Sequence, residues 1–121
     1  MVKVSEQAEI LLALATLAGG TLRLDGGRLD RALMELGDDR PTPLSNLTFS
    51  VGSVGLRCFE LPEILDMAIY MMSADYGATG DHNVFRSRLR RDEAVEIVFQ
   101  YGLQPSSFEA AAIRLRELNA R

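Results

Sequence analysis

Between positions 10 and 18 the chain reads Ile-Leu-Leu-Ala-Leu-Ala-Thr-Leu-Ala, apolar everywhere but Thr16, and two glycines follow at once. Wound into a helix, such a run presents hydrophobic side chains on almost every side, so it has to be surrounded by other elements or by another chain. It is too short to cross a bilayer, which needs about 20 such residues. Its approach to Gly19-Gly20 has the outline of a secretory leader. Glu6 and Glu9, however, stand where a leader carries positive charge. The segment therefore reads as a buried helix opened by Ser5 and stopped by Gly19.

A second segment shares this character. Pro62 suits the first turn of a helix, and Glu63 sits by its positive end. The helix expected over residues 62–74 carries Ile64, Leu65, Met67, Ala68, Ile69, Met71 and Met72 on more than one face. A chain of 121 residues and 13.3 kDa buries roughly two-thirds of its unfolded surface in one domain, here residues 1–121. One helix fits at the centre of so small a core. The other is then expected to meet a second copy or a protein partner. Leu11, Leu14, Ile64, Met67, Met71 and Met72 are the candidate interface residues, the methionines being adaptable fillers of such a surface.

The remaining pattern is easier to place. Leu29, Ala32, Leu33 and Leu36 recur at the spacing of an amphipathic helix, ended by Gly37. Residues 37–46, with Pro41 and Pro43, read as a loop. Residues 21–24 alternate as a very short strand. Leu47, Phe49 and Val51 alternate with polar residues as a strand with one buried face, broken by Gly52 and Gly55. Residues 75–81 read as a turn, and residues 82–89 as a strand with Phe85 and Leu89 inward and Arg86 and Arg88 outward. Asp92 is expected to cap a fourth helix with Ala94, Val95, Val98 and Tyr101 on one face. Ser106 and Glu109 are spaced as a capping box for a fifth. The fold class is α+β and mostly helical: about five helices with two or three short strands, winged-helix-like in its architecture or another small helical domain.

Chemistry is sparse. Twelve of the thirteen basic residues are arginines and the net charge is −4, against a dedicated nucleic-acid coat. Even so, Arg86, Arg88, Arg90 and Arg91 form a cluster that in a wing-like strand would grip phosphates or other anions. Asp81, Asp92 and Glu93 lie close enough in sequence to neutralise it. His82 is the single histidine and Cys58 the single cysteine. An Asp81–His82 pair serving Cys58 would make a small hydrolase or transferase, but no local signature surrounds the cysteine. One Cys and one His make no zinc finger, and Asp38-Asp39 lacks the spacing of a calcium loop. Gly52-Ser53-Val54-Gly55 lacks the lysine and spacing of a phosphate loop. No metal or cofactor is expected. The lone cysteine suits a reducing compartment, so a soluble cytoplasmic protein without membrane contact is expected. The function expected is that of a non-enzymatic regulatory or adaptor domain acting by protein–protein contact and self-association. Nucleic-acid binding through residues 86–91 is the alternative, and an enzyme around His82 the remote one.

Overall fold

The computed structural model describes residues 3–39, 44 and 46–121. The expected loop at residues 37–46, with its prolines, lies largely outside them. Among the described residues the domain is α+β and mostly helical, with five α-helices and five short strands. In order these are α1 (Val4–Leu17), β1 (Thr21–Arg23), α2 (Arg28–Asp39), β2 (Phe49–Gly52), β3 (Gly55–Cys58), α3 (Leu61–Tyr70), β4 (Ala74–Thr79), β5 (His82–Ser87), α4 (Arg91–Gln100) and α5 (Pro105–Asn119).

The all-round apolar segment becomes the central helix. α1 touches α3, α4, α5 and β5, and Leu11, Ala13, Leu14 and Ala15 have no exposed surface. The core is completed by the stripe each helix supplies: Ala94 and Val98 from α4, Phe108, Ala112 and Leu115 from α5, and Leu29, Leu33 and Leu36 from α2, which packs on α5. Helix boundaries shift by a residue or two from the expected ones. Lys3, not Ser5, precedes α1. Gln104, not Ser106, precedes α5. Arg90, not Asp92, precedes α4, where its backbone N–H donates to Glu93 Oε1 at 2.9 Å. Gly37 does not stop α2, which continues to Asp39.

Larger corrections concern the strands. Residues 75–81 are not a loop: β4 occupies most of them and pairs with β5 in an antiparallel hairpin. Its two-residue turn places Gly80 at φ 60°, the left-handed conformation that glycine supplies at the first turn position. β1 adds to the other side of β5, giving the order β1-β5-β4. α3 correspondingly ends at Tyr70, short of residue 74. The strand expected near residues 47–51 is one arm of a second hairpin, β2–β3, turning at Ser53-Val54. Val51 does not face the core there and is 81% exposed, because a two-stranded hairpin projecting from the body has little to cover it. Asp30, buried on α2, ties that hairpin down by accepting the Cys58 N–H at 2.8 Å. Val95 lies at the edge of the α4 stripe and is also exposed.

Candidate functional site

The four arginines follow one another from β5 into α4, and each meets a carboxylate. Arg86 Nε lies 3.0 Å from Asp75 Oδ1, and Arg88 Nε 3.6 Å from the other oxygen of the same group. Arg86 reaches it by lying flat across Gly77, where any Cβ would come within 2.5 Å of the guanidinium. Arg90 pairs with Asp92 at 3.2 Å, and Arg91 with Glu109 on α5 at 2.7 Å. The Asp92 hydrogen bond raises the Arg90 pKa, and Arg90 in turn holds Asp92 below the usual carboxylate range. Two of these acids, Asp75 and Glu109, are far in sequence from the arginines they serve. The patch is thus a mixed-charge surface, and the cations that would release phosphate counterions are already engaged.

His82 does not pair with Asp81. Its Nδ1 lies 3.2 Å from both carboxylate oxygens of Asp25, at the start of the turn leading into α2. Burial opposes ionisation of Asp25, but the hydrogen bond from His82 and the nearby charge of Arg28 help leave its pKa below the ordinary value. The pair borders a shallow cleft of about 280 Å³ lined by Leu24, Asp25, Tyr76, Gly77, Asn83 and Val84. This lining contains no serine, threonine, cysteine or lysine to act as a nucleophile. Cys58 is buried in the core, and burial pushes its thiol up to about 11, so it is a protonated core residue rather than a thiolate. Among the described residues, no group of three or more His, Cys, Asp and Glu side chains is arranged to hold a metal ion.

The six residues expected at an interface divide sharply. Leu11, Leu14 and Ile64 are fully covered by this chain itself, which corrects their placement at a contact with another chain. α1 needed a surrounding, and the other helices and β5 provide it. Met67 and Met71 are half-buried and pack against the core. Only Met72 is open, at 79% exposure. It also has a φ of 61°, a left-handed conformation uncommon for a residue other than glycine, asparagine or aspartate. Beside it Tyr70 is 83% exposed. Tyr76 on β4 is half-exposed, and its hydroxyl lies 3.2 Å from Asp66 Oδ1 on α3. Burial, then the Asp66 charge, raises the Tyr76 pKa and keeps the phenol protonated. Val4, Glu63, Asp66, Met67 and Tyr70 line an open groove of about 320 Å³ on the same side. Among the described residues, no basic side chain lies within ion-pair distance of Glu63 or Asp66.

Tyr70 and Tyr76 were not candidates from the sequence. The available signal was a helix apolar on too many faces followed by two aromatic residues, but their convergence depends on the β4 strand that was read as a turn. No helix among the described residues is long and apolar enough to cross a membrane. No protein-family model, curated protein or solved structure matches this chain.

Proposed function

We propose that this chain is a non-enzymatic interaction domain that binds another protein through the end of α3 and the adjoining β4. The observation that carries the reading is the pairing of Tyr70 and Met72, both about four-fifths exposed, beside half-exposed Tyr76. Large aromatic and methionine side chains grouped at the surface cost solvation, and they are enriched at the centres of protein interfaces. The left-handed backbone at Met72 adds weight, because strain retained at an exposed position is a signature of functional surfaces. Of the two helices expected to self-associate, α1 is covered within the chain, which leaves the end of α3. The arginine corner offers a nucleic acid less, since carboxylates already occupy its cations.

The test is site-specific photo-crosslinking in the native cell. A photoreactive residue at position 70 is compared with one at Ile113, a 39% exposed position on α5. A discrete crosslinked protein from position 70 alone, lost on Met72→Asp substitution, is the expected result. Equal or absent crosslinking at the two positions would remove the assignment of the surface.

A further inference from the structure

The two edges of the β1-β5-β4 sheet are finished differently. Strand partners in β1 alternate between groups that face β5 and groups that face out. Leu24 N–H donates to Asn83 and Ser87 N–H to Gly20, so Leu22 faces β5 and Arg23 faces away. That outward pair is closed by one buried side chain: Asn119 Oδ1 accepts the Arg23 N–H at 2.7 Å, and Asn119 Nδ2 donates to Arg23 O at 3.0 Å. The amide of Asn119 thus occupies the place of a next strand.

Among the described residues no such cover exists at β4. Arg88 N–H donates to Ser73 O, and with the observed register this directs Asp75, Gly77 and Thr79 toward β5. Ala74, Tyr76 and Ala78 therefore turn their N–H and C=O groups outward. Among the described residues β4 has no neighbour on that side. The strand is six residues long and carries no lysine, proline or bulge to blunt its edge, and its one charge, Asp75, is held by Arg86 and Arg88. Tyr76 sits opposite Phe85 and so shares its face of the sheet, which is the face toward the core. From there Tyr76 reaches Asp66 on α3, and Asp66 lines one groove with Glu63 and Tyr70.

We infer that the β4 edge is a strand-addition site for an extended, basic segment of a partner protein. This rests on the interaction-domain reading above and specifies its mode. Backbone groups of Ala74, Tyr76 and Ala78 pair with the added strand, and alternate side chains of that strand fall toward α3. There they meet Glu63 and Asp66, two carboxylates with no cation partner among the described residues, beside the Tyr70 ring. A lysine or arginine lays its stem along the tyrosine and its charge between the acids. Charge also selects the occupant. A second copy pairing β4 with β4 around a two-fold axis would bring both sets of Glu63 and Asp66 to one seam, where like charges repel.

The experiment is a backbone-amide NMR titration of the full chain with two synthetic nine-residue peptides, one alternating lysine with valine and one alternating glutamate with valine. The lysine peptide is expected to shift the amides of Ala74, Tyr76 and Ala78 and to slow their hydrogen exchange about tenfold or more. It should bind about tenfold more tightly than the glutamate peptide. Ala78→Pro removes only an outward N–H, which an edge strand tolerates. It should abolish the protection while the β4–β5 cross-strand contacts persist. Glu63→Lys with Asp66→Lys should reverse the peptide preference. Shifts at Tyr70 and Met72 without change at the three edge amides would overturn strand addition and leave the binding surface standing. No binding of either peptide overturns the inference, as does a dimer in light scattering that Ala78→Pro dissolves, since the occupant would then be a second copy.

Discussion

α1 and α3 look alike as sequence, and the fold treats them in opposite ways. Both are hydrophobic on more than one face, yet Leu11 and Leu14 of α1 are wholly enclosed while α3 runs from buried Ile64 to open Tyr70. The difference lies in what surrounds them. α1 is packed by three helices and β5, whereas α3 packs on α1 and touches the sheet at β4. Apolar content reports that a helix has more than one hydrophobic side. It does not report how many of those sides the same chain can reach.

The widest separation between the two helices is expected from truncation. Leu14→Ala should cost about 2–5 kcal/mol in denaturant melts, the range for a buried leucine that leaves a cavity. A loss below about 0.5 kcal/mol would mean α1 is not the centre of the core. Next comes the sealed edge. Asn119→Ala leaves the Arg23 N–H and C=O without these partners in a part-buried setting, and a loss of about 1–3 kcal/mol is expected. Smaller and opposite in sign is Met72→Gly. Relief of the left-handed backbone, offset by the extra freedom of glycine in the unfolded chain, should raise stability by about 0.5–1 kcal/mol. A fall instead would show that the exposed Met72 side chain holds the α3–β4 corner together. Smallest is Tyr70→Ala on the open end of α3, expected within about 0.5 kcal/mol of the parent. A cost like that of Leu14→Ala would collapse the contrast and place Tyr70 in the fold rather than at a partner.

The sequence made the helical skeleton legible because periodicity is local: Leu29, Ala32, Leu33 and Leu36 mark α2 without reference to anything else. The sheet was harder. β4 reads Ala-Asp-Tyr-Gly-Ala-Thr, with three residues of weak strand preference and a glycine. Its strand state comes from β5, whose Arg86 needs Gly77 to be small. The arginine cluster was visible as charge, but its neutralisation was only half visible. Asp92 and Glu93 lie beside it in sequence, whereas Asp75 and Glu109 arrive through the hairpin and the α4–α5 packing. The candidate surface was hidden for the same reason. Glu63, Asp66 and Tyr70 share one helix, but Tyr76 joins them only after the chain has turned back at Met72.

The central position of α1 has a consequence for how the protein is made. Synthesis delivers α1 before any of the elements that shelter it, α3 ahead of the β4–β5 hairpin and α4 and α5 after it. Until α4 and α5 have left the ribosome, the leucines of α1 have only part of their cover, and loop closure over most of the chain must precede the last contacts. A nascent chain halted before α5 therefore offers chaperones its most hydrophobic segment, and the native state arrives late and all together rather than piece by piece.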